Sequence, residues 1–221
     1  MKRRMLMVWM AALALTCFLP VQAGEPAGKP DEFIEDVTHA LWQALAQNRE
    51  HFAQDPKALK AFVEKAVLPH VAVEKMARYA MGKFWRKASR AQQQRFVAAF
   101  TDMLLRSYAN TLLNLKIQSM RVAKVVPGKR GRYQVEQQVV RENAPETKVV
   151  YRVYWDKKAQ RWKIYDVVAE NVSLLLNYRK VFTTELQKKG IDQVIEELEA
   201  KNQAFLQGQS THEGANRGAG E

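Results

Sequence analysis

The side chains of this 221-residue chain best suited to chemistry are four histidines, one cysteine and one carboxylate inside an apolar run. His39, His51, His70 and His212 do not fall at the spacing that presents two imidazoles to a metal from one helical turn. Cys17, the only cysteine, lies in the N-terminal apolar segment, so no structural metal site is expected. The histidines read as surface or capping residues. Asp166, in Lys163-Ile164-Tyr165-Asp166-Val167-Val168, is a carboxylate set in an apolar strand and could act as an acid or base with a raised pKa. The competing reading is a carboxylate hydrogen-bonded at a strand end or to a nearby loop. No Gly-x-Ser-x-Gly elbow supplies a hydrolase nucleophile. Pro127 to Arg132, "PGKRGR", superficially resembles a phosphate loop, but its spacing is wrong and it lies between two strand-like runs, which makes it a hairpin turn. No catalytic residue and no cofactor are expected.

What remains is apolar surface in excess of a simple stripe, including a methionine set, Met76, Met81, Met103 and Met120, that could adapt to a flexible ligand. A close-packed core would use the same residues, so composition leaves filled and hollow interiors both open.

The elements that position these side chains begin after an export signal. Lys2, Arg3 and Arg4 precede an apolar run from Met5 to Leu19, and Val21-Gln22-Ala23 has the small residues a signal peptidase reads, so residues 1–23 are expected to be cleaved. The apolar run is short for a membrane span and is interrupted by Pro20. The signal carries three of the 35 basic residues and none of the 23 acidic ones, leaving the mature chain at +9. A basic exported protein fits an anionic lipid or an acidic partner; nucleic acid is not expected.

Residues 24–206 are expected to form one domain and 207–221, "QGQSTHEGANRGAGE", a disordered tail. Phe33, Val37, Leu41, Leu45 and Phe52 recur at helical spacing, as do Leu59, Phe62, Val63 and Val67 after Pro56. A short helix follows from Val73 to Gly82. Ser89-Arg90-Ala91-Gln92 reads as a capping box that opens a long helix to about Asn114. The period then shortens to two in four runs near 116–126, 132–141, 148–155 and 161–168, joined by short turns, which predicts an antiparallel meander. A helix from the triple leucine Leu174-Leu175-Leu176 to Lys189 stops at Gly190, and a last helix starts at Ile191. The predicted class is α+β: a curved four-stranded antiparallel meander clasped by about six helices, a cone with an extended helical part.

Two blocks carry a resemblance. In the first, Leu68-Pro69, Met76-Ala77-Arg78, Gly82, Trp85, Ala88-Ser89, Phe96, Phe100, Leu104 and Tyr108-Ala109 stand out; in the second, Tyr165-Asp166-Val167, Glu170, Val172-Ser173-Leu174, Asn177-Tyr178-Arg179 and Phe182. From about Phe33 to Phe205 the chain resembles the periplasmic phospholipid-binding shuttles of the Mla lipid-asymmetry pathway, also called the toluene-tolerance auxiliary family. It departs at Ala72, where the family commonly has an aspartate, and at Asn171, where it usually has glycine. Asparagine tolerates a left-handed backbone, so the second departure spares the turn.

The resemblance implies a curved sheet with helices around a pocket for acyl chains, a periplasmic location, and two partners. These are an outer-membrane lipoprotein complex and an inner-membrane lipid transporter with a substrate-binding ring. A monomer is expected. The implied pocket falls on Met76, on Phe100, Met103, Leu104 and Tyr108 of the long helix, and on Met120, Val122, Val135, Val139 and Val153 of the strands. Leu174, Leu175, Leu176 and Tyr178 of the following helix complete it. Arg152, Lys163 and Arg179 are candidates for a head-group rim. Each methylene gains ~0.8 kcal/mol on leaving water, so two chains of about fifteen carbons cost roughly 24 kcal/mol to expose, and a carrier has to enclose them. Alternatives are a hopanoid or other polycyclic cargo on the same fold, a small-molecule enzyme on that cone using Asp166 as base, and an adaptor with a solid core.

Overall fold

The computed structural model describes residues 28–208, so the expected signal and nearly all of the expected tail lie outside the described residues. Helix α1 (Pro30–Gln47) has proline at its start and Asp31 and Glu32 in its first turn, both suited to the positive end of a helix. It stops at Asn48, whose side-chain amide donates to the Ala44 carbonyl at 2.9 Å while the backbone leaves helical geometry at ψ 17°. The predicted single helix to Phe52 is therefore two, with α2 spanning Arg49–Gln54. Asp55 caps α3 (Pro56–Ala66) by accepting from the Lys57 and Ala58 N–H groups at 2.9 and 3.0 Å.

Pro69 sits in a 3-10 turn that ends this run, and α4 (Val73–Met81) starts from Ala72 without a side-chain cap. The Ala72 N–H donates to the Ile164 carbonyl at 2.8 Å, pinning the start of α4 to the sheet. The capping box opens α5 (Arg90–Asn114) as predicted, Ser89 Oγ accepting from the Gln92 N–H at 3.2 Å and Gln92 Oε1 from the Ser89 N–H at 2.9 Å.

The four predicted strands form as β1 (Ile117–Pro127), β2 (Arg132–Arg141), β3 (Thr147–Asp156) and β4 (Arg161–Ala169). Glu170 and Asn171 then both take left-handed backbone, φ 50° and 64°, and turn the chain into a fifth strand, β5 (Val172–Ser173), paired back on β4. Two consecutive positive φ values make the tightest hairpin, and asparagine in the second place accommodates it. The sheet is thus five-stranded, antiparallel and in chain order, one strand more than predicted. Register shifts in β1, and opposite Arg152 and Val153 between β3 and β4, are bulges of the kind that bend a sheet.

Helix α6 (Leu174–Lys189) follows at once and is separated from α7 (Ile191–Leu206) by Gly190 at φ 84°. Seven α-helices are present among the described residues, against about six expected, because of the break at Asn48. Helix α1 packs along β1 and β2, and α4 and α6 pack against β4. The long α5 packs instead on α7, α4, α2, α1 and α3, leaving the middle strand β3 in close contact with its neighbouring strands alone among the larger contacts.

Candidate functional site

The apolar interior is divided. A helical core joins α4, α5, α6 and α7 around Phe96 and Phe100, both fully buried, with Met76, Met103, Phe182 and Leu186. A sheet core sets Val135, Val153, Trp162 and Ile164 under Ile34 of α1. A third core holds the far half of α1 and the end of α5 with α2, α3 and α7, around Leu45, Phe52, Leu59, Ala109 and Leu113. None of the β1–β4 residues belongs to the helical core and no α5 residue to the sheet core, although a domain of this size ordinarily has one contiguous core.

The two cores meet along a seam at which Val71, packed on the helical core, bridges to Ile164 of the sheet core. Pairing places Gln137 opposite Val149 and Val135 opposite Tyr151, which is opposite Val167 in turn, so these side chains share the face that carries the sheet core. Tyr151 lies so deep that burial pushes its hydroxyl up to about 12, and it nevertheless keeps accessible surface. Two open depressions of the surface, one bounded by Arg141, Glu146, Lys148 and Asn171 and one at residues 46–51, share no residue with this seam.

The residues nominated from sequence fall around the seam in three groups. Met76, Phe100, Met103 and Leu175 are buried in the helical core, with Leu104, Leu174 and Tyr178 packed against it. Val135 and Val153 are buried in the sheet core and Val122 packs on it. Tyr108, Met120 and Val139 belong to none of the three cores; Met120 and Val139 face each other across β1 and β2. Leu176 departs from expectation, being 54% exposed. Consecutive helical residues project about 100° apart, and α6 turns Leu175 inward with Leu174 beside it, so the third leucine faces outward.

Two of the candidate rim residues make contacts within the chain. Arg152 Nη1 donates to Asp166 Oδ2 at 2.9 Å, and Arg179 Nη1 donates to the Tyr79 carbonyl at 2.8 Å while its guanidinium lies 4.6 Å from the Tyr79 ring centre. Both cations are committed to holding elements together. Lys163 pairs opposite Tyr154 on β3 and lies near His70, whose pKa is lowered by burial and by the charges of Arg161 and Lys163.

Asp166 is 1% exposed. Its Oδ2 accepts from Ser173 Oγ at 2.7 Å as well as from Arg152, and Oδ1 accepts from the Leu175 N–H at 3.0 Å, while Ser173 Oγ accepts from the Leu176 N–H at 3.1 Å. The carboxylate thus serves the open N-terminus of α6, which matches the competing reading of Asp166 as a carboxylate hydrogen-bonded to a nearby loop.

Sequence reasoning also passed over Gln137, fully buried on the inner face of β2, whose Nε2 donates to Thr38 Oγ1 at 2.9 Å and so ties β2 to α1. Its position was readable from the alternation with Val135 and Val139, but an amide in that row gave no sign of its partner.

Known proteins share this architecture. A phospholipid-binding protein from Ralstonia solanacearum, solved in complex with a phospholipid, superposes with a TM-score of 0.72 at 21% identity, over 81% of this chain and 99% of that one. The intermembrane phospholipid transport system binding protein MlaC of Haemophilus influenzae is 25% identical over 188 residues, 84% of this chain and 87% of its own. Toluene tolerance protein ttg2D of Pseudomonas putida is 28% identical over 193 residues, 86% and 85% of the two chains. With the model of the MlaC protein family matching residues 35–200, from within α1 to within α7, the chain belongs to that family.

Proposed function

We propose that this protein is a phospholipid carrier of the Mla pathway, enclosing acyl chains in the seam between the sheet and the helices. The observation that carries the reading is the divided interior: the buried residues of the helices and those of the sheet form separate cores. Family membership and the phospholipid named for the relatives support the choice of cargo.

A bilayer is as apolar as such a seam, so the carrier holds lipid by packing and enclosure; no bond is made or broken. Among the described residues no helix is long and apolar enough to cross a membrane, which suits a shuttle moving between membranes through the periplasm. Its partners on this reading are a lipoprotein complex at the outer membrane and a lipid transporter at the inner one. Native mass spectrometry of the exported, detergent-free protein tests the proposal. A mass increment of one or more diacyl phospholipids is expected. A bare polypeptide mass would refute it, and an increment matching a polycyclic lipid would transfer the fold to the other cargo.

A further inference from the structure

Four of the five large apolar side chains exposed among the described residues lie on neighbouring elements: Tyr79 on α4, and Val172, Leu176 and Val181 at the entry to α6 and in its first turns. Helices α4 and α6 pack on each other. Arg179, one turn after Leu176, joins their exposed sides, since its guanidinium lies by the Tyr79 ring and donates to the Tyr79 carbonyl. Gly82, at φ 55°, lets the 3-10 turn Gly82–Arg86 come against the same guanidinium; a Cβ there would stand 3.2 Å from it. That turn carries Phe84 and Trp85, both part-buried on the helical core, with the Lys83 and Lys87 ammonium groups 5.4 and 5.8 Å from the Phe84 ring centre. Apolar and aromatic side chains are thus set among cations. From 73 to 90 the sequence has six basic residues, Lys75, Arg78, Lys83, Arg86, Lys87 and Arg90, against the single carboxylate of Glu74, and from 174 to 182 it has Arg179 and Lys180 and no carboxylate. Among the described residues none of Arg78, Lys83, Arg86, Lys87 and Lys180 enters a salt bridge, whereas Glu185, further along α6, is held by Lys189.

We propose that the face formed by α4, the 3-10 turn after it and the first turns of α6 docks the protein on the surface of an anionic phospholipid bilayer. This goes beyond the carrier reading, which concerns lipid held inside, and does not depend on it. A bilayer surface offers phosphates and, just below them, an apolar layer. Lysine and arginine bond to the phosphates while their stems lie along apolar groups, and tyrosine, tryptophan and exposed leucine suit the depth beneath. An acidic protein surface would match the cations but would set Leu176 and Tyr79 against charged groups. Docking of this kind is shallow and reversible: among the described residues no helix is long and apolar enough to cross a membrane.

The test floats the full exported protein with vesicles of phosphatidylglycerol and phosphatidylethanolamine, or of phosphatidylcholine alone, at low and high salt. Binding to the anionic vesicles is expected, weakening as salt screens the charges. Lys83→Gln combined with Lys87→Gln weakens it about 25-fold, at about fivefold for each charge near an anionic surface, and Leu176→Ser weakens it about fivefold. Lys124→Gln combined with Lys129→Gln removes the same net charge at the far edge of the sheet, on and just after β1, and leaves binding near the wild-type level. A thermal melt verifies that each variant is folded. Undiminished binding in the Lys83 and Lys87 variant or in Leu176→Ser, or equal weakening by the Lys124 and Lys129 pair, overturns the face. Wild-type protein that does not float with anionic vesicles overturns docking on lipid and leaves an acidic protein as the partner of these cations. Cargo inside the protein, counted by native mass spectrometry, is unchanged in the Lys83 and Lys87 variant, so failure of docking and failure of the carrier reading are read separately.

Discussion

Tyr151 lies on the inner face of β3, packed against the sheet core. Its folded-state pKa, about 12, stands above the ordinary 10.0 because burial disfavours the phenolate. A raised pKa means that the folded protein keeps the proton longer than the unfolded chain. The associated stability is fully present below pH 10 and is lost as pH rises toward about 12. Tyr154 and Tyr178 are shifted in the same direction, so the informative quantity is the difference made by one side chain. Tyr151→Phe is expected to give a shallower decline of urea-unfolding stability across that window, with no change in slope near neutrality. Superimposable profiles for the two proteins would place Tyr151 in ordinary contact with solvent. That residue was readable as inward-facing from its alternation with Val149 and Val153. What it faces was not, because the same apolar neighbours line a filled interior and a hollow one.

Helix α6 depends on a short chain of side chains at its first turn. Ser173 and Asp166 between them satisfy the Leu175 and Leu176 N–H groups, and Asp166 is held in place by Arg152 from β3. Asp166→Asn retains the shape but turns one acceptor into a donor that faces donors. It should cost about 2–4 kcal/mol in urea unfolding, with m unchanged. Ser173→Ala, which removes one cap, should cost about 1 kcal/mol. A loss below 0.5 kcal/mol in Asp166→Asn, to set about the usual surface scatter, would mean the cluster is not stabilising. Much of this level was legible: the Ser89 and Gln92 box and the stop at Gly190 are local signals, and both stand where the spacing put them. The two-residue β5 was not, since no periodicity can be read in two residues, and the break at Asn48 depends on one side-chain hydrogen bond. The contacts of the candidate rim cations were not legible for a related reason. Their partners lie 14 residues away for Arg152 and 100 for Arg179, beyond any local pattern.

At the scale of the molecule, the interior is divided among three cores, and on the proposed reading cargo lies between the helical and the sheet core. Binding to the folded state alone then adds stability by mass action. At a free lipid concentration a hundred times Kd the gain is about 2.7 kcal/mol, which for a domain of this size corresponds to about 5–10 °C in Tm. Protein extracted with solvent and refolded should therefore melt lower than protein carrying its native lipid, and adding phospholipid back should restore the difference. The same comparison by hydrogen exchange should show the change concentrated in β3, whose inner face carries the sheet core, and little in the α2 and α3 pair, which belongs to the third core. Equal melting temperatures before and after extraction would show that the sheet and helices close on each other without cargo. In that case the divided core would be a packing boundary, and the positions facing it would have to be reassigned from lipid contact to contact with one another.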